Sequence, residues 1–163
     1  MKFSRYEEAL TAYEKAIEVA AFFNRHAYNG KGDALYKLAR YVEAIDLYGR
    51  VIQEVPKWVY SYRQKGDALY NLERYGEALA VYEQAISLND PDASIYTKKG
   101  NTLCHLNRYQ EALTAYELAI KLGLELSNSE KAEAYKGKSN VLGVFANEAL
   151  KIAEELDLPD DLP

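Results

Sequence analysis

Apolar residues recur along most of the chain at three- and four-residue steps. Between Tyr6 and Ala20, a stripe of Ala9, Leu10, Tyr13, Ala16, Ile17 and Ala20 is interleaved with Glu7, Glu8, Glu14, Lys15 and Glu18. That period belongs to an amphipathic helix. The pattern predicts further helices over residues 25–38, 41–54, 57–72, 75–88, 93–106 and 109–122, with Phe22 and Phe23 closing the first stretch and Pro56 closing the third. Asn89-Asp90-Pro91-Asp92 reads as a turn with a built-in helix start, because Asp90 can cap free amides and Pro91 suits the first helical position. Ser127-Asn128-Ser129-Glu130 has the spacing of a capping box and predicts another helix start. A last helix is expected over 147–156, followed by a solvated tail.

One phrase, Arg-Tyr-x-Glu-Ala followed by Leu or Ile, opens the second helix of each pair. Its tyrosines are Tyr6, Tyr41, Tyr75 and Tyr109, spaced by 35, 34 and 34 residues. A fixed period of this length is the mark of a stacked repeat array. The tyrosines near the start of each first helix are Tyr28, Tyr62, Tyr96 and Tyr135, so the last interval is 39 residues and about five, 127–131, are inserted. Glu148-Ala149-Leu150 survives at the end without Arg-Tyr. The expected organisation is one domain: an orphan second helix in 1–24, repeats at 25–58, 59–92 and 93–126, a degenerate capping repeat at 127–158 and a tail at 159–163.

In register, the repeats share those tyrosines, then Gly32, Gly66 and Gly100, then Ala44, Ala78 and Ala112, then Tyr48, Tyr82 and Tyr116, with Ala85 and Ala119 beyond. This order of aromatic, glycine, alanine, aromatic and alanine closely resembles the tetratricopeptide repeat family, whose unit is about 34 residues. The resemblance spans practically the whole chain. It implies an all-α, right-handed α-solenoid of antiparallel helix hairpins. There are departures: Tyr replaces the usual Trp, Val51 stands where Ala is usual, only Pro56 holds the proline position, and Ser139 replaces the last glycine. These suggest looser packing at the C-terminal end. Gly66 and Ala78 are expected where two helices cross closely, with Tyr62 and Tyr82 filling the space beside them.

The resemblance further implies that first helices line a concave groove that takes an extended peptide. Carried over by register, the groove holds His26, Asn29, Asp33, Tyr36 and Lys37; then Tyr60, Arg63, Asp67, Tyr70 and Asn71; then Ser94, Thr97, Lys98, Asn101, Cys104 and His105; then Glu133, Lys136 and Asn140. Of 15 tyrosines, twelve occupy three repeated positions, and the remainder, Tyr36, Tyr60 and Tyr70, all fall in this set. Aromatic, Asn and Arg side chains on one surface combine apolar contact with hydrogen bonds to a peptide backbone. Tyr60 and Arg63 are the leading candidates for contact. Relatives that clamp the acidic tails of heat-shock chaperones use Lys, Asn, Asn, Lys and Arg at five groove positions, where this chain has Asn29, Asp33, Gln64, Ser94 and Lys98. Asp33 repels a carboxylate, so this clamp is not expected.

Composition narrows the remaining options. With 48% hydrophobic and 28% charged residues the chain falls in the soluble globular range, and a net charge of -5 with no compact basic block argues against nucleic acid or an anionic membrane as partner. Cys104 is the single cysteine, so no intrachain disulfide is possible, and the first residues carry no apolar signal core. A cytoplasmic location is expected. His26 and His105 lie about two repeats apart, so a metal site from them would need a partner chain. Cys104 and His105 are adjacent on a helix, about 100° apart, and cannot form a nucleophile and base. Asn29-Gly30-Lys31-Gly32 lacks the spacing and the preceding strand of a phosphate loop, and Gly30 is expected only to weaken its helix. The Glu and Lys pairs are expected to be solvated helix faces.

The expected function is therefore a non-enzymatic protein-interaction scaffold, without cofactor, binding a peptide or partner surface in the groove. Two alternatives remain. The first copy of the phrase has no first helix before it, so the face bearing Ala9, Tyr13 and Ala16 is expected to be uncovered and to favour self-association. Helical-repeat RNA binding is the minor alternative, opposed by the acidic balance.

Overall fold

Two helices can lie closely side by side only if the turn between them is short and the residues at their crossing are small. The sequence provides both, three times over. The structure, a computed structural model, describes residues 2–88, 92–123 and 128–156. Among them it has eight helices and no strand: α1 (Lys2–Glu18), α2 (Arg25–Lys37), α3 (Tyr41–Glu54), α4 (Val59–Asn71), α5 (Tyr75–Ser87), α6 (Ala93–His105), α7 (Tyr109–Leu122) and α8 (Asn128–Leu156). Each packs on the next along the chain, and α2, α4, α6 and α8 also meet in order along one side. The chain is an all-α solenoid.

The turns within the hairpins α2–α3, α4–α5 and α6–α7 share one construction. Ala39, Glu73 and Asn107 take left-handed backbone with φ of 59°, 59° and 58°. The amides of Arg40, Arg74 and Arg108 then reach back to the carbonyls of Leu35, Leu69 and Leu103 at 2.9, 3.0 and 2.9 Å. These are Schellman closures, which satisfy carbonyls left open at a helix end. The same arginines serve the next helix. Nε and Nη2 of Arg40 donate to both carboxylate oxygens of Glu43 at 2.7 Å, and the Arg74–Glu77 and Arg108–Glu111 pairs repeat this geometry. The repeated phrase is thus a turn-and-start device.

At the crossings, tyrosine rings replace the missing Cβ atoms. A Cβ on Gly32 would stand 2.7 Å from Tyr48 Cε1, and one on Gly100 2.6 Å from Tyr116 Cε1; Gly66 meets Tyr82 in the same way. Tyr48, Tyr82 and Tyr116 are essentially fully buried, so these rings have nowhere to move. Gly30 differs from its expectation as a mere weak spot. Its missing Cβ makes room for the ring of Tyr13, as Gly137 does for Tyr116.

Other expectations are corrected at the ends. The last segment does not turn before residue 147, since α8 runs unbroken from Asn128 to Leu156. Phe145 and Ala146 stand where the phrase has Arg and Tyr, so the Arg–Glu side-chain pair that starts α3, α5 and α7 has no counterpart there. Asp90, Pro91 and Ser127 lie outside the described residues, as does the tail from 157. The described cap of α6 is Asp92, whose side chain accepts from the Ser94 amide at 2.9 Å. The Glu and Lys side chains also do more than face solvent. Lys31–Glu14, Lys99–Glu83 and Lys138–Glu117 join a second helix to the next first helix at 2.9 to 3.0 Å. Being half-exposed, such pairs add little individually.

Candidate functional site

The side of the solenoid formed by α2, α4, α6 and α8 is lined by side chains that pair across successive hairpins. Its key positions are occupied by Asp33, Asp67 and Asn101, one on each of α2, α4 and α6. Each accepts the hydroxyl of the buried tyrosine fifteen residues later: Tyr48 to Asp33 at 2.7 Å, Tyr82 to Asp67 at 2.6 Å, and Tyr116 to Asn101 at 2.7 Å. Burial pushes all three phenols well above their ordinary pKa, and the neighbouring carboxylates push Tyr48 and Tyr82 further the same way. These tyrosines therefore remain neutral donors, and the acids and amide are held in fixed orientations.

Beyond that common frame the three positions diverge. Asp33 also accepts from Tyr60 at 2.6 Å and from Gln64 Nε2 at 3.3 Å, and burial followed by this bond raises the Tyr60 pKa. Asp67 is paired with Lys98 Nζ at 2.9 Å. Asn101 Nδ2 donates to Glu133 Oε1 at 2.8 Å. Arg63 pairs with Asp92 at 2.9 Å, lies 3.4 Å from Ser94 Oγ, and sits over the Tyr60 ring.

Aromatic contacts fill the rest. Asn71 donates to Tyr36 Oη at 2.7 Å and to the Asp67 carbonyl, and Lys37 lies over the Tyr36 ring. Burial, then the charge on Asp67, raises the Tyr36 pKa. Tyr70 Oη is 2.8 Å from His105 Nε2, and the His105 ring stacks on Tyr75 at 4.3 Å between centroids. Asn29 is buried and accepts from Ser61 Oγ at 2.9 Å, while Thr97 is buried beneath the wall. Cys104 Sγ lies 3.6 Å from Tyr116 Oη.

Three cavities open on this side. An N-terminal one of about 510 Å³ lies among Tyr13, His26, Asn29, Asp33, Trp58 and Tyr60. A middle one of about 190 Å³ includes Tyr36, Asp67, Tyr70, Asn71, Lys98, Asn101 and Glu133. A C-terminal one of about 310 Å³ shares Tyr70, Asn101 and Glu133 with it and adds Cys104, His105, Lys136 and Asn140. Sequence register supplies residues to all three cavities, but its candidates Lys37, Arg63, Ser94 and Thr97 line none of them, and Asn29, Ser94 and Thr97 are buried. It did not include Tyr13, expected on an uncovered face of α1, or Trp58, which lies just before α4. Among the described residues, no group of three His, Cys, Asp or Glu side chains is arranged to hold a metal ion.

A family model described as tetratricopeptide repeat matches residues 1–57 and 63–135. The chain belongs to the tetratricopeptide repeat family. Among solved structures of similar repeat arrays, the first TPR of Spaghetti (RPAP3), described as bound to the HSP90 peptide SRMEEVD, is 22% identical with a TM-score of 0.68, over 75% of this chain and 93% of that one. The TPR2B domain of yeast Sti1, described as a complex with pHsp70, is 21% identical with a TM-score of 0.69, over 73% and 96%. MamA is 19% identical with a TM-score of 0.69, over 88% and 91%. At these identities the likeness concerns the fold. No curated protein matches the sequence. Within the tetratricopeptide repeat frame, the described helices include none long and apolar enough to cross a membrane.

Proposed function

We propose that this domain is a non-enzymatic protein-interaction scaffold that holds an extended peptide, or a partner's surface segment, along α2, α4, α6 and α8. The observation that carries this reading is the row of three cavities on one side, lined by fixed tyrosines and by amide and carboxylate groups. Tyrosines offer large rigid contact area at low entropic cost, and oriented polar groups fix the register of a bound backbone. Two similar structures whose descriptions include a peptide or chaperone complex support the mode of binding.

The ligand is not an acidic chaperone tail. Asp33 meets any incoming carboxylate with like charge, and Lys98 is already paired with Asp67. The test is capture of partners from a lysate by wild type and by Tyr60→Ala/Tyr70→Ala, with the peptide SRMEEVD assayed separately. Partners should be lost from the folded double variant, and SRMEEVD should not bind. Unchanged capture by that variant would rule the groove out.

A second reading, self-association through α1, has its own support. Val19 and Phe22, at and just beyond its end, are 83% and 88% exposed, and Tyr13 is 36% exposed. Sedimentation velocity should then show a concentration-dependent dimer that Val19→Asp/Phe22→Asp removes. A monomer at all concentrations would end this reading.

A further inference from the structure

The equivalent acids Asp33 and Asp67 differ in one respect. Asp67 has an internal cation, because Lys98 from the following hairpin reaches it at 2.9 Å. The residue that takes the place of Lys98 opposite Asp33 is Gln64, also 31 residues on, which donates from a neutral amide at 3.3 Å. The other donors to Asp33 are the neutral hydroxyls of Tyr48 and Tyr60. Its negative charge is therefore oriented by three hydrogen bonds and balanced by none of them. Of the guanidiniums at this end, Arg63 pairs with Asp92, and Arg25 lies over the Trp58 ring with its Nε buried and unbonded; neither forms an ion pair with Asp33.

Asp33 also lies at the largest of the cavities just described, about 510 Å³, beside Tyr13, Trp58, Tyr60 and His26. Guanidiniums already lie over the Trp58 and Tyr60 rings, so a further cation is drawn chiefly by the carboxylate, whose open lone pair accepts charge-assisted hydrogen bonds, beside the ring of Tyr13. We propose that this cavity is a receptor for one basic side chain, arginine or lysine, of the bound peptide, with Asp33 as its counter-ion. The incoming cation does for Asp33 what Lys98 does for Asp67. This proposal rests on the groove reading above and gives it a chemical preference: the partner segment is basic, in keeping with the net charge of -5.

The other hairpins indicate which variants should fold. Asn101 accepts the Tyr116 hydroxyl where Asp33 accepts that of Tyr48, so Asp33→Asn keeps the frame and removes the charge. Lys98 has the geometry that Gln64→Lys would reproduce, filling the site from within. Trp58 is the single tryptophan and lines the cavity, so its emission reports occupancy. The probes are amidated, N-acetylated Gly-Ser decapeptides with a central arginine, citrulline or glutamate.

The arginine peptide should shift Trp58 emission saturably. Citrulline, of the same shape without charge, should bind about tenfold more weakly, and Asp33→Asn and Gln64→Lys should each weaken the arginine peptide about tenfold. Equal binding of arginine and citrulline, an unaffected Asp33→Asn, or no response to any peptide would overturn the proposal. Partner capture separates its failure from that of the groove. Capture lost in Tyr60→Ala/Tyr70→Ala but retained in Asp33→Asn sinks the basic-residue pocket alone, whereas capture retained in both sinks the two together.

Discussion

Asp33 and Asp67 occupy the same place on α2 and α4 and accept from equivalent buried tyrosines, Tyr48 and Tyr82, yet Asp67 is matched by a lysine and Asp33 by a glutamine. The common part is architecture and the difference is chemistry. In a repeat array the hairpin fixes where a side chain points, so a single substitution from one repeat to the next changes what that point can bind. Lys98 closes the middle of the groove with an internal ion pair. Gln64 leaves the N-terminal end anionic and open.

The strongest way to break the comparison is to remove the frame both acids share. Gly66→Leu drives a side chain into the immobile ring of Tyr82, and Gly32→Leu does the same at Tyr48. Each should lower stability by about 1 to 3 kcal/mol in urea unfolding. A loss below about 0.5 kcal/mol would mean that the rings do not fix the acids.

Next in size is the tyrosine hydroxyl. Tyr48→Phe and Tyr82→Phe should each cost about 1 kcal/mol, because each leaves a carboxylate short of one donor. Exchanging the partners sharpens the comparison directly. Lys98→Gln should lower stability by under about 1 kcal/mol, the range of a partly exposed pair, and Gln64→Lys should leave it unchanged or raise it slightly.

The smallest effect should be alike in both hairpins. The Arg40 and Arg74 guanidiniums hold the Glu43 and Glu77 carboxyls below their ordinary pKa. Folded values below unfolded ones mean that this contribution is present above the ordinary Glu value of about 4.3 and fades as pH falls through the folded value. Arg40→Ala and Arg74→Ala should therefore lower Tm slightly at pH 7, with the gap from wild type closing at strongly acid pH. A gap that widens in acid would contradict the pairing.

Much of this was legible in the sequence because packing repeats. Tyr48, Tyr82 and Tyr116 and the glycines opposite them recur at a fixed period, so their joint burial could be read from spacing. The helix ends were less so. Ala39 and Glu73 take left-handed backbone without being glycine, and α8 runs on through 145–146, where the Arg-Tyr of the phrase is missing. Register brought most of the candidates to the cavities, but it did not give their pairings. Arg63, expected to meet a ligand, is committed to Asp92, and Tyr60 is tied to Asp33. Such contacts join residues about thirty apart on neighbouring hairpins and depend on side-chain reach, which a period does not encode. Tyr13, expected on an uncovered face of α1, is partly exposed, and its ring packs against Gly30 and lines the N-terminal cavity, a contact that depends on the glycine rather than on the period.

The central claim is that the ligand lies along α2, α4, α6 and α8 with a basic side chain at Asp33. Amide chemical-shift mapping during titration with the arginine decapeptide tests it most directly. The account predicts the largest shifts at Ala27, Gly30 and Asp33 and around Trp58 and Tyr60, all suppressed by Asp33→Asn. Shifts confined to α3, α5 and α7, or unchanged by Asp33→Asn, would contradict it.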